Sequence, residues 1–218
     1  AYLFQKLLRS GIGTNNIDHF HGRFPAPSAD ALPWVWTDSI AGLESASHII
    51  LLGADPYSRQ PIVDLRIRAA IRKGAQVYVV TPEPNRLDRL AAGVIRYQPG
   101  QTGVIARALL HVVLSEKLTR GDYATQYASE NAARLAGLAQ ETPERIAQSA
   151  GVEAEALRTL AREIAGAQGA VILYDELATL EPTGATLAAD TLDLALLTDN
   201  YGRRGAGVGP LLDDNNSL

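Results

Sequence analysis

Two short stretches carry residue types that suit a ligand. Gly53-Ala54-Asp55-Pro56 ends the apolar run from His48 to Leu52, and Thr81-Pro82-Glu83 ends a second run that begins at Gln76. In the first, glycine lets a ligand approach the backbone and Asp55 supplies an acceptor. The second offers a hydroxyl and then a carboxylate. Neither has the G-x-G-x-x-G spacing of a dinucleotide fingerprint or the G-x-x-x-x-G-K-[ST] of a P-loop. Asp18, His19 and His21 form D-H-x-H, which suggests a metal, but no further ligand cluster accompanies them and a turn is the simpler reading. His111 lies on an apolar helical pattern and reads as a core histidine. Asp175 and Glu176 are adjacent at a strand end, where their side chains face opposite ways. Asp213 to Asn216 lacks the spacing of an EF-hand loop. Gly202 to Gly209, with Arg203 and Arg204, has amides enough to cradle a phosphate, yet it follows a helix and reads as an irregular loop.

The elements that must position these residues are well signposted. His48 to Leu52 and Gln76 to Thr81 are continuous apolar runs that suit strands buried on both faces. Between them Pro61 opens a helical pattern, Ile62, Leu65, Arg66 and Ala69 share one face, and Gly74 closes it. This is a βαβ unit, and ligands of such units sit beyond the carboxyl ends of the strands. Val94 to Tyr97 reads as a third strand and Thr102 to Leu118 as a helix. Residues 122–166 are helical only, with Thr142-Pro143 as a cap and first-turn proline. Gly169 to Asp175 returns to strand. The fold class expected is therefore α/β, a parallel, Rossmann-like sheet with crossover helices and a helical insertion. The expected organisation is an N-terminal helix and extended connector over 1–47, a βαβ core over 48–121, the insertion over 122–166, and a return strand, helix and glycine-rich loop over 167–218. Prolines 25, 27 and 33 extend the connector, and Trp34 and Trp36 are its expected anchors.

Composition removes several function classes. With 218 residues, 46% of them hydrophobic, the chain can bury one substantial core. A net charge of −4 with scattered arginines gives no footprint for nucleic acid. No apolar run reaches the ~20 residues of a membrane span, so no direct membrane insertion is expected. There is no cysteine, which excludes disulfides, thiolate metal sites and a cysteine nucleophile within these residues. The first residue, Ala1, and the closing Asp-Asp-Asn-Asn-Ser-Leu suggest a fragment of something larger.

Taken together, the motifs resemble the molybdopterin oxidoreductase superfamily. Gly13-Thr14-Asn15-Asn16-Ile17-Asp18-His19 resembles its G-T-N-N-x-D-x segment, and His48 to Pro82 its strand, G-x-[ND]-P loop, helix and second strand. Pro99-Gly100-Gln101-Thr102 resembles its P-G-[TS]-[DE] turn, Thr142 to Ile164 its inserted helical pair, and Gly202 to Asn216 its G-R-x-G-x-G-x-x-P-L-x-x-x-N-N run. Within it the chain most resembles the large peripheral iron–sulfur subunit of NADH:quinone oxidoreductase, respiratory complex I.

That resemblance implies a structural domain without a cofactor of its own, in a parent whose iron–sulfur clusters lie outside these residues. Its partners would be other subunits of a membrane-associated respiratory complex, on the cytoplasmic side of a bacterial inner membrane. The alternative is the molybdopterin-guanine-dinucleotide-binding domain of an active molybdenum or tungsten oxidoreductase such as a formate dehydrogenase. The cofactor-binding positions would then be Gly53, Asp55, Pro56, Thr81, Pro82, Gly100 and Thr102. No residue is expected to be catalytic. The main departure is at Val80-Thr81-Pro82-Glu83, where active relatives resemble [VI]-D-P-R. Glu83 places negative charge where a pyrophosphate would lie.

Overall fold

The computed structural model describes residues 2–15, 36–138 and 142–211. Asp18, His19, His21, Trp34, the connector prolines and Asp213 to Asn216 lie outside the described residues. At the start, α1 (Tyr2–Leu7) runs into a π-helical turn, Leu8–Ile12, which Gly13 closes in the left-handed conformation at φ 78°.

The sheet has five strands in the order β3-β2-β1-β4-β5. These are β1 (His48–Leu52), β2 (Gln76–Val80), β3 (Gly93–Ile95), β4 (Ala170–Asp175) and β5 (Gly207–Leu211), all paired in parallel. β1 is central, with Ile50 in register between Tyr78 and Ile172. The chain first winds one way, through α2 (Pro56–Arg59) and α3 (Pro61–Arg72) to β2 and then β3, and returns to β4 on the other side of β1. The order therefore reverses between β1 and β4, where a parallel sheet opens a crevice at its carboxyl edge.

The return path is helical: α4 (Thr102–Ser115), α5 (Asp122–Glu130), α6 (Ala132–Leu138), α7 (Pro143–Ala150) and α8 (Ala154–Gly166), with α9 (Leu187–Leu197) after β4. Thr142 caps α7 by accepting the Arg145 N–H, and Gly151 ends it at φ 70°. Leu109 of α4, Ile146 of α7, Leu157 and Leu160 of α8 and Leu194 of α9 join Ile50 and Ile172 in one buried cluster. The opposite face of the sheet, Ile49, Leu51, Val77 and Val79, packs on α3 and Leu43. Alternate residues of each strand thus feed two cores, which is why the strands read as unbroken apolar runs.

The buried face of one helix is now defined, and one expectation changes. α3 buries Val63, Asp64, Ile67 and Ala70, while Ile62 and Leu65 stay 60% and 59% exposed. The stripe through positions i, i+4 and i+7 wins because it lies over the β1–β2 surface. The segment 202–210 is not wholly irregular, since Gly207 to Leu211 form edge strand β5, paired to β4 from Val171 to Asp175. Its glycines are needed for cover: a Cβ on Gly207 would stand 2.1 Å from Thr37 Oγ1, and one on Gly209 2.7 Å from the Trp36 ring. Trp36 Nε1 also donates to the Pro210 carbonyl at 2.7 Å. The edge is closed by this local layer.

Outside the sheet, Glu44 joins a 3₁₀ turn, Ile40–Ser45, to both Arg66 and Lys73 of α3. Hydrogen bonds from Lys73 and then Arg66 pull its carboxyl down to about 2. A depressed carboxylate stabilises above its unfolded value and is lost as pH falls through the folded one. Acid titration followed by circular dichroism is therefore expected to lose this contribution between pH ~4.5 and ~2, and Glu44→Gln to lack that part of the profile. Added salt should weaken it, because its partners Arg66 and Lys73 are exposed.

Candidate functional site

At the end of β1, Gly53 sits at φ +64° and donates its N–H to the Val80 carbonyl at 2.8 Å. A Cβ there would lie 3.1 Å from Thr102 Cγ2 and 3.2 Å from Tyr97 Oη. Both the left-handed backbone and the close approach of these two side chains demand glycine. Thr102 begins α4; its N–H donates to Glu181 Oε2 at 3.0 Å and its hydroxyl to Glu181 Oε1 at 3.0 Å. With that proton committed, Tyr97 donates to Thr102 Oγ1 at 2.8 Å. Burial pushes the Tyr97 phenol well above its usual range, so it stays a donor. Thr183 closes the group by donating to the Gly100 carbonyl at 2.8 Å.

A second group forms behind β2. Thr81 is buried, donates to the Glu83 carbonyl at 2.8 Å and accepts from Arg96 at 3.0 Å. Arg96 also pairs with Asp88. Burial opposes ionisation of Asp88, but the Arg96 bond and the Asn85 N–H outweigh it and hold the carboxyl below its usual value. Pro82 is half-buried and the Glu83 side chain is exposed. Asn85 ties this loop to the first by donating to the Ala54 carbonyl at 3.1 Å.

Asp55 and Pro56 lie at the start of α2. Asp55 Oδ2 accepts from the Ser58 hydroxyl, whereas Oδ1 is buried with no hydrogen-bond partner among the described residues. Arg59 reaches Asp175 Oδ2 at 3.3 Å, joining the first strand end to the fourth across the point where the strand order reverses.

The seven residues singled out in the sequence thus fall into two groups and a bridge between them. Gly53, Gly100 and Thr102 meet at the start of α4; Thr81 and Pro82 share the loop held by Arg96; Asp55 and Pro56 stand at the start of α2. Tyr97, Glu181, Asn85, Arg96 and Arg59 complete the arrangement and are not visible in any motif. Of the other candidates, His111 is buried in the core, Asp175 and Glu176 are both buried, and Arg203 is committed to Asp199 and to the Gln168 carbonyl. Among the described residues no group of three or more His, Cys, Asp or Glu side chains is placed to hold a metal ion. No described helix is long and apolar enough to cross a membrane.

A parallel sheet with buried strands, reversed at its centre and bordered there by glycine-bearing loops, defines the class of α/β scaffold that receives ligands at its carboxyl edge. The family model for molybdopterin oxidoreductases matches residues 1–216, and the chain belongs to that family. It is 28% identical over 99% of its length to the F420-dependent formate dehydrogenase 1 subunit alpha of Methanococcus maripaludis, covering 33% of that protein. It is 29% identical over 99% of its length to formate dehydrogenase H of Escherichia coli, covering 31% of it. The NADPH-Fe(3+) oxidoreductase subunit alpha of Geobacter sulfurreducens is 28% identical over 99% of the chain, with 26% of the relative covered. The chain therefore spans about a third or less of the length of these curated relatives. Among solved structures, the acetylene hydratase of Pelobacter acetylenicus superposes with a TM-score of 0.65 at 14% identity, over 77% of this chain and 25% of that one, a likeness of fold. The superfamily read from the motifs is the one matched. At the finer level these relatives favour the formate-dehydrogenase alternative over the complex I assignment.

Proposed function

We propose that this chain is the domain that holds a molybdopterin guanine dinucleotide in the large subunit of a formate-dehydrogenase-like oxidoreductase. The observation that supports it most is the resemblance to formate dehydrogenase subunits along 99% of the chain, from both archaeal and bacterial relatives. The geometry supports it in part. Asp55 keeps a buried oxygen without a partner, an acceptor for the N–H donors of a guanine edge. A Cβ on Gly100, at φ +83°, would meet nothing within 4 Å, so backbone there is open to close approach. Thr102 fits only when Glu181 turns away from its N–H. When bound, such a group supplies the electron-transfer chemistry. The chain contributes holding and orientation: Gly53, Asp55 and Pro56 from the first loop, Thr81 and Pro82 from the second, Gly100 and Thr102 from the third. Other subunits of a multi-subunit oxidoreductase are the proposed partners.

A second reading, a cofactor-free scaffold in an NADH:quinone oxidoreductase subunit, draws on one specific observation. The Glu181 carboxylate already occupies the N–H and hydroxyl donors at the start of α4. In this reading the partners are respiratory-complex subunits and the clusters lie in the parent. Metal analysis of the full-length parent purified from its source separates the two. Molybdenum or tungsten near one per polypeptide is expected for the first, and iron alone would overturn it.

A further inference from the structure

Helices α2 and α3 and loop 84–89 border an open groove of about 890 Å³ on the α3 side of the sheet. These three elements contain two acids, Asp64 and Asp88, and both are spent: Asp64 Oδ2 accepts from Arg68 Nε at 2.7 Å, and Asp88 pairs with Arg96. Of their arginines, Arg59 reaches Asp175 and Arg66 holds Glu44. Arg72, Arg86 and Arg89 are exposed and have no carboxylate partner among the described residues. Glu83, exposed just before the loop, offsets one of these three charges at most. A chain of net charge −4 thus carries a positive patch here.

The patch is also apolar. Ile62, Leu65 and Arg72 fall on one stripe of α3, and both aliphatic side chains stand in solvent. Tyr57, itself exposed, lines the groove with Leu65, and Arg86 Cζ stands 3.7 Å from the centroid of its ring. The ring takes one face of the guanidinium and fixes its plane, which leaves N–H donors at the edge for a carboxylate. Exposed aliphatic side chains beside a tyrosine and a stacked arginine have the composition of an interface centre. A flat lipid surface meets only the rim of a groove, whereas a protein segment fills it.

We infer that this groove docks another subunit of the same oxidoreductase through an acidic, amphipathic segment of that subunit. Apolar side chains of the segment pack on Ile62, Leu65 and Tyr57, and its carboxylates pair with Arg86, Arg89 and Arg72 around them. Opposite charge at the rim sets the association rate and its salt dependence, while Tyr57 and the stacked Arg86, residue types that dominate interface energetics, supply affinity. The inference rests on the proposal that the chain works with other subunits, which both functional readings share. It is independent of whether a pterin is bound.

The test uses the full-length subunit in the complex purified from its source, with the photo-crosslinker p-benzoylphenylalanine in place of Leu65. Irradiation is expected to join it to a different polypeptide of the complex, at a peptide rich in Asp and Glu that mass spectrometry identifies. R86E/R89E should weaken binding of that polypeptide at least ~10-fold at low salt. The melting temperature of the subunit should not change, because both guanidiniums are exposed. Added salt should weaken the wild-type pair in the same direction. Crosslinks confined to the subunit's own chain or to lipid would overturn the inference, as would no crosslink, or R86E/R89E binding equal to wild type. None of these outcomes bears on pterin content, which is measured separately. A subunit that purifies alone would overturn the multi-subunit proposal as well.

Discussion

Gly103→Ala is expected to lower stability by roughly 2–4 kcal/mol, although alanine is the better helix former. Gly103 lies in the first turn of α4, and a Cβ there would stand 1.8 Å from the Thr183 carbonyl oxygen and 2.7 Å from its carbon. Those are backbone atoms and cannot rotate away. Relief requires moving the segment 181–184 as a unit, and that segment carries Glu181, whose carboxylate is held by Thr102, and Thr183, which bonds Gly100. The gain in helix propensity, about 1 kcal/mol, is smaller than the cost of overpacking and lost bonds. Urea unfolding should show a lower midpoint with an unchanged slope. An unchanged midpoint would mean that α4 and the segment after β4 are not packed backbone to backbone.

Ile50→Ala should cost about 2–5 kcal/mol, the range for removing a large aliphatic side chain from a rigid core. Ile50 has no solvent exposure, sits on the central strand between Tyr78 and Ile172, and belongs to the cluster that gathers α4, α7, α8 and α9 onto the sheet. Strands on both sides fix the backbone, so the cavity collapses little. For a chain of this size the melting temperature should drop by about 2–4 °C for each kcal/mol lost. Differential scanning calorimetry reads this directly. A drop of a degree or less would show that the helices do not depend on the sheet for their packing.

Both predictions rest on contacts of unequal legibility. β1, β2 and β4 were visible as unbroken apolar runs because each is buried on both faces. Pro61, Gly74, Thr142 and Gly151 marked helix ends because capping is local chemistry. β5 was hidden, since Gly-Val-Gly-Pro-Leu has no strand pattern of its own; its glycines answer to Trp36 and Thr37, about 170 residues away along the chain. The buried face of α3 is set the same way: Val63, Ile67 and Ala70 lie over the sheet surface and take Asp64 with them, where Arg68 neutralises it, while Ile62 and Leu65 stay exposed.

The candidate site divides along the same line. Gly53, Asp55 and Gly100 stand at strand ends or turns, where residue type alone signals a role. Glu181 reads as a surface acid in Leu-Glu-Pro-Thr-Gly, yet folding carries it 79 positions back to the start of α4. Arg96, on the residue after β3, supplies positive charge behind Thr81 that the local Thr-Pro-Glu sequence lacks. Charge at the strand ends is thus set by residues brought from outside the motifs, and Glu83, with its side chain in solvent, weighs less against an anion than its position in the sequence implies.

On the proposed reading this domain holds a pterin dinucleotide. Its most direct test is the fluorescence of oxidised pterin released by acid from the full-length subunit, counted against polypeptide. Pterin is expected in stoichiometric amount, and reduced in Asp55→Ala preparations that remain folded, since alanine removes the acceptor oxygen. Full-length subunit that carries its iron–sulfur clusters and releases no pterin would contradict it.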